Sequence, residues 1–267
     1  MKVIVSTLIQ ELHAYAKNQQ YQRAVIGLSG GLDSTVALYL ATRAFGAKNV
    51  TALIMPEVGI TPPEDIEHAK AIAQHFGNTM HYQTINNHMV DFNFLTWDKT
   101  EEANQRLKSH IRAMLLRYYA TAHNALWISA SNKSDLSLGL GHLDGELGGD
   151  LHLFGDLYKS DLIELAKHMG LPEELINKPS SRNLKPEQSD ADDLGVAWPQ
   201  IDDVLRQLNK KVDPDTLIEK GMDSLIVHKI SRMVQQQNAR PMFTPSLAVG
   251  DIKKAIKEAQ QAEASSL

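Results

Sequence analysis

The chain has 267 residues, 43% hydrophobic and 22% charged, with a formal net charge of -5; this is a globular composition with enough length for a sizeable core, and it gives no electrostatic basis for binding nucleic acid. Cysteine is absent, which excludes disulfides, thiolate metal sites and the cysteine nucleophile with which many glutaminases release ammonia. The N-terminal apolar run is too short for a signal peptide, and no later stretch reaches the roughly 18 apolar residues of a membrane span, so a cytoplasmic protein without a membrane partner is expected.

In chain order, residues 7–18 have the apolar spacing of an amphipathic helix, and 23–28 form a nearly continuous apolar run suited to the middle of a parallel sheet. A helix is expected over 34–45, where Val36, Ala37, Leu40, Ala41 and Ala44 fall at helical spacing before Gly46, and a second strand over 50–55. The pattern repeats with a helix over 64–76 stopped by Gly77, a strand over 80–85, a long helix over 101–123 and a strand over 125–130. Such alternation implies right-handed crossovers and a doubly wound parallel α/β sheet of Rossmann-like type. Ligands bind such sheets at the carboxyl ends of the strands, so 28–34, 55–59 and 130–135 are expected to converge on one site.

The second half reads as helical, with helices over 159–169, 198–208, 222–237 and 251–262, and the whole chain as one domain over 1–267. Two segments lack periodicity: 139–149 holds five glycines, and 178–195 mixes prolines, serines and acids. Mobile loops near 139–150 and 178–195 are therefore expected, of a length that often serves as a substrate lid.

The strongest motif is Ser29-Gly30-Gly31-Leu32-Asp33-Ser34, between an expected strand and an expected helix. Two glycines let the backbone approach an anion, successive amides point at it, and the helix adds its positive end, which together make a pyrophosphate cradle. The plainer alternative is a Gly-rich turn with Ser34 as helix N-cap. A Walker loop would carry a lysine before the closing serine; Asp33 stands there instead and repels phosphate unless a cation intervenes, which points to magnesium.

With Ala52-Leu53-Ile54-Met55-Pro56, Ser131-Asn132-Lys133-Ser134-Asp135, Gly155-Asp156-Leu157-Tyr158-Lys159, Gln188-Ser189-Asp190 and Asp193-Leu194-Gly195 added to this loop, the sequence resembles the N-type ATP pyrophosphatases, and within them the NAD synthetases, from about Ser6 to Pro241. The resemblance implies an enzyme that activates the carboxylate of deamido-NAD with ATP, releases pyrophosphate, and lets ammonia displace AMP to give NAD. It implies an ATP site of Gly27, Leu28, Ser29, Gly30, Gly31, Leu32, Asp33, Ser34, Met55, Lys159 and Ser181, with Asp33 and Lys159 as catalytic residues. Magnesium would be held by Asp33 and Asp135, and Asp150 would help bind the acid. A homodimer is also implied, with 101–123 as a candidate contact.

The chain departs from the family pattern mainly at positions the family uses for deamido-NAD. His110 stands for an arginine, Leu143 for a lysine and Asn238-Ala239 for a His-Lys pair, while at the ATP and metal positions Asp135 stands for a glutamate and Ala130 for a threonine. The acid is then expected to be held by His110 and Arg112, with Lys108 and Arg182 as further cations. Two other functions fit less of the pattern: a related ATP pyrophosphatase acting on a different carboxylate or carbonyl, and a non-catalytic nucleotide-binding regulator. His142, Asp144, Glu146, Asp150 and His152 lack the spacing of a metal cluster, and His68 and His75 are expected to face solvent.

Overall fold

The computed structural model describes residues 2–141, 145, 147–181, 184, 185 and 189–239. The first half runs α1 (Lys2–Asn18), β1 (Arg23–Gly27), α2 (Leu32–Phe45), β2 (Val50–Ile54), α3 (Pro63–Phe76), β3 (Thr79–Tyr82), α4 (Asn86–Met89), α5 (Glu101–His123) and β4 (Ala125–Asn132). The second half adds α6 (Lys133–Leu138), β5 (Leu151–Phe154), α7 (Lys159–His168), α8 (Glu173–Ile176), α9 (Asp190–Leu194), α10 (Trp198–Asn209), α11 (Pro214–Glu219) and α12 (Ser224–Asn238).

The five strands form one sheet in the order β3-β2-β1-β4-β5, with every pair parallel. The continuous apolar runs have a direct cause, because successive side chains of a strand enter different cores. Ala24 and Ile26 of β1, Ala52 and Ile54 of β2, and Leu126 and Ile128 of β4 pack into one cluster with Val36, Leu40 and Leu162. Val25, Leu53 and Trp127, from the same strands, pack into another with Ile111 and Leu116 of α5. Helices therefore cover both faces, as a doubly wound sheet requires. A third cluster joins Leu138 of α6 to Ile201, Val204 and Leu205 of α10 and Val227 and Ile230 of α12.

Several bounds differ from the sequence reading for identifiable reasons. Helix α1 begins at Lys2 rather than at residue 7. Strand β3 ends at Tyr82, and only Gln83 and Ile85 continue to donate, to the carbonyls of Ile54 and Pro56, as the chain turns into α4. Strand β4 runs on to Asn132. The Gly-rich stretch leads into β5, whose four residues are too few to show a period. Helix α2 starts at Leu32 with Gly31 as its cap, so Ser34 lies inside the first turn and donates its hydroxyl to the Gly31 carbonyl at 3.1 Å instead of capping the helix. The helix expected over 251–262 lies outside the described residues, among which no helix is long and apolar enough to cross a membrane.

Candidate active site

The carboxyl ends of β1, β2 and β4 open into one cavity of about 510 Å³. Gly27, Leu28, Ser29, Gly31, Leu32, Asp33, Ser34, Met55, Arg112, Asp135, Lys159 and Ser181 all line it. Gly30 sits behind the wall at a φ of 78°, and a Cβ there would strike the backbone carbonyl of Asp65, so this turn excludes any side chain. The loop is closed by its own hydroxyls: Ser29 Oγ lies 3.1 Å from Ser34 Oγ and accepts from Gly31 N–H at 3.3 Å. Ser29 N–H in turn donates to Ser34 Oγ at 3.3 Å. The N-terminus of the 14-residue helix α2 follows at once and adds positive potential to the cradle.

The charged groups meet beside this loop. Asp33, in the first turn of α2, pairs with Lys159, the first residue of α7, and its other oxygen accepts from Asn132 Nδ2 at 2.9 Å. Asn132 also caps α6 by accepting from Ser134 N–H and Asp135 N–H at 3.0 and 3.1 Å, while Asp135 accepts from Asn132 N–H at 3.2 Å. Burial, reinforced by the negative charge of Asp33, pushes the Asp135 carboxyl up to about 7. Burial alone would lower the Lys159 ammonium, but Asp33, Asp135 and Asp190 together hold it above its ordinary value. Among the described residues no three His, Cys, Asp or Glu side chains are grouped to hold a metal.

Lys159 is supported from below. Its backbone N–H donates to Ser134 Oγ at 2.9 Å, and that hydroxyl donates to Asp202 Oδ1 at 2.5 Å. The other oxygen of Asp202 accepts from Ser160 N–H at 2.7 Å. Asp202, on α10, has 0% exposure, so the C-terminal helices fix the end of α7 that carries the lysine.

The family model described as NAD synthase matches residues 4–241. The chain belongs to the NAD synthase family. Over 230 residues it is 34% identical to an NH(3)-dependent NAD(+) synthetase of Archaeoglobus fulgidus, covering 85% of this chain and 89% of that protein. A protein of the same name from Methanocaldococcus jannaschii is 34% identical over 221 residues, 81% of this chain and 85% of the relative. Among solved structures, the NH3-dependent NAD synthetase from Campylobacter jejuni in complex with the nitrate ion superposes with a TM-score of 0.76 at 27% identity, covering 91% of this chain and 99% of that one. The NMN synthetase from Francisella tularensis gives a TM-score of 0.77 at 24% identity over 92% of this chain and 98% of that one, a likeness of fold.

Within this NAD synthase framework, the residues expected around the acid are more scattered than those around the loop. Arg112 lines the cavity, and its Nε donates to the Met55 carbonyl at 3.0 Å. His110, half-buried on the same helix, does not belong to the cavity lining. Neither does Asp150, whose carboxylate pairs with Arg117 at 2.6 Å and accepts from Trp127 N–H at 3.0 Å. Lys108 is buried, paired with Glu57 at 2.8 Å and donating to the Leu184 carbonyl at 2.9 Å. Asn238 ends α12 and Ala239 follows it. Ala130 lines the cavity, while Leu143, Arg182, His142, Asp144 and Glu146 lie outside the described residues. His68 and His75 are exposed on α3.

Sequence reasoning missed the role of Asn132, although the Asn132-x-x-Asp135 spacing is that of a capping box. It also missed Trp198, Asp190 and Lys178, all in the cavity wall. Lys178 pairs with Asp65, 113 positions earlier in the chain, and no local pattern reveals such a contact.

Proposed function

We propose that the protein is an ammonia-dependent ligase that adenylates the carboxylate of deamido-NAD with ATP and lets ammonia displace AMP, giving NAD, AMP and pyrophosphate. The observation that carries this reading is the Ser29–Ser34 cradle with buried Lys159 paired to half-buried Asp33 within a single cavity. Such a site is suited to holding a pyrophosphate leaving group and neutralising its growing charge, which is the demand of the first half-reaction.

In that reaction a carboxylate oxygen of the acid attacks the α-phosphorus of ATP, and the bond to the bridging oxygen breaks toward pyrophosphate. The loop amides, the Ser29 and Ser34 hydroxyls and the start of α2 hold the departing phosphates, and Lys159 meets their charge. Asp33 and Asp135 would hold magnesium. The donor set fits such an ion: Asp33 and Asp135 supply the hard oxygen ligands that magnesium takes, and the negative charge of Asp33 already bears on the Asp135 carboxyl. Magnesium held there would supply positive charge to offset that of the phosphates. Ammonia then attacks the acyl carbon, AMP leaves with the carbon–oxygen electrons, and the excess proton passes to solvent. No general base is required, because positioning and charge neutralisation carry both steps.

Met55 and Ser181 complete the ATP site in this reading, and Arg112, with His110 and Asp150 outside the cavity lining, is assigned to the side that takes the acid. Ammonia enters free, since a chain without cysteine has no cysteine nucleophile to release it from glutamine. We further infer one domain over 1–267 acting as a cytoplasmic homodimer through α5, on whose outer face Met114 and Tyr118 are 54% and 76% exposed, with lids formed near 139–150 and 178–195.

The test is product balance. Purified protein with magnesium, ATP, ammonium and deamido-NAD is expected to form NAD, AMP and pyrophosphate in equal amounts. AMP formation that ignores deamido-NAD but responds to another carboxylic acid would overturn the assignment of the substrate.

A further inference from the structure

A second lysine stands in the wall of the cavity at the other end of the phosphate loop. Lys178 directs its ammonium at Asp65 and lies 3.4 Å from the carbonyl oxygen of Gly30. Asp65 is buried in the first turn of α3, and its own backbone carbonyl is the group that forbids a side chain at Gly30. Both the main chain and the carboxylate of Asp65 therefore bear on the turn that shapes the cradle. The lysine side chain is 21% exposed while the aspartate side chain is 8% exposed, so the cation is the more accessible partner of the pair.

Lys178 also opens a strap across the cavity. Pro179, Ser180 and Ser181 follow it in the cavity lining, and the Ser180 carbonyl accepts from Asp190 N–H at 2.8 Å. The strap is thus tied at one point by the Lys178–Asp65 pair and at another by the start of α9. A flexible four-carbon stem with a mobile, three-donor head suits a cation that changes partners. A polyphosphate in the cradle carries more negative charge than a single carboxylate.

We propose that Lys178 is a second phosphate-binding cation of the ATP site and that Asp65 competes with the nucleotide for it. Lys159 serves the Asp33 end of the loop, and Lys178 serves the Gly30 end. ATP draws Lys178 from Asp65. The inference rests on the cavity being an ATP site.

The experiment is direct binding of Mg-ATP and of AMP to the full chain, by calorimetry, for wild type, Lys178→Met, Lys178→Arg and Asp65→Asn. Loss of a charge-assisted contact to phosphate is expected to weaken ATP about ten- to hundredfold in Lys178→Met. AMP, which lacks the outer phosphates, is expected to change much less. Lys178→Arg is expected to retain most of the affinity, and Asp65→Asn, which removes the competitor, to bind ATP more tightly than wild type. A purely architectural pair predicts the opposite pattern: Lys178→Met and Asp65→Asn weaken ATP and AMP alike, and that result overturns the proposal. Unchanged ATP binding in folded Lys178→Met overturns it too. Should Lys178→Met fail to fold, the sign of the change in Asp65→Asn decides the matter. Wild-type protein that binds no ATP refutes the ligase reading itself, which separates the two failures.

Discussion

At the scale of single residues, the site is a balance among buried charges. Asp33 and Lys159 satisfy each other, Asp135 is disfavoured as a carboxylate, and Asp202 is a buried acid two hydrogen bonds away from the Lys159 backbone. Burial raises Asp202 above its ordinary value of 3.8, and hydrogen bonds from Ser134 and Ser160 only partly offset that shift. An acid raised in the folded state binds its proton more tightly there than in the unfolded chain, so its ionisation costs stability as pH rises from 3.8 through the raised value. The prediction is that wild type gains thermal stability relative to Asp202→Asn as pH falls from neutrality toward 3.8. A melting-temperature difference between the two that is independent of pH would show that Asp202 titrates normally. Residue-level chemistry was partly legible beforehand: the Ser29–Ser34 loop carries its own signature, and Asp33 in the lysine position of a Walker loop announces a cation. The contacts of Asp202, Asp65 and Lys178 join segments far apart in sequence, and no spacing rule reaches them.

At the scale of elements, the helix that presents Lys159 is held by its neighbours rather than by its own cap alone. Ser134 of α6 receives the Lys159 N–H and passes a hydrogen bond to Asp202 of α10. Replacing Ser134 with Ala leaves Lys159 N–H and one Asp202 oxygen without this partner while removing a single oxygen atom. The expected outcome is a stability loss of about 1–3 kcal/mol and a lower kcat with little change in the ATP KM, measured by denaturation and steady-state pyrophosphate release. Full activity in a destabilised Ser134→Ala protein would mean that the relay supports the fold but not the lysine. Elements with strong end signals were the ones the sequence placed well. Helix α5 spans 101–123 as read, because the Thr100 side chain accepts from Ala103 N–H at one end and Asn124 adopts a left-handed turn at the other. Four-residue β5 and α8 are too short for a period to show, and the start of α1 shifted because its first turn has no acid to mark it.

At the scale of the whole molecule, one parallel sheet sets the functional geometry. Strands β1, β2 and β4 lie side by side, so their carboxyl ends deliver the Ser29–Ser34 loop, Met55 and the Asn132–Asp135 turn to a common cavity. The third core of C-terminal helices packs against α6 and steadies the far wall through Asp202. This convergence followed from the alternation of elements, and the family likeness over 4–241 agrees with it. The residues expected around the acid were less legible, since His110 and Asp150 stand outside the cavity lining and Leu143 and Arg182 lie outside the described residues. An acyl-adenylate formed in this architecture is revealed by isotope transfer. With deamido-NAD labelled by oxygen-18 in its nicotinate carboxylate, plus ATP, magnesium and ammonium, one labelled oxygen is expected in AMP and one in the amide of NAD. Label in phosphate or pyrophosphate, or AMP released without label, would contradict attack of the carboxylate on the α-phosphorus and with it the adenylating mechanism.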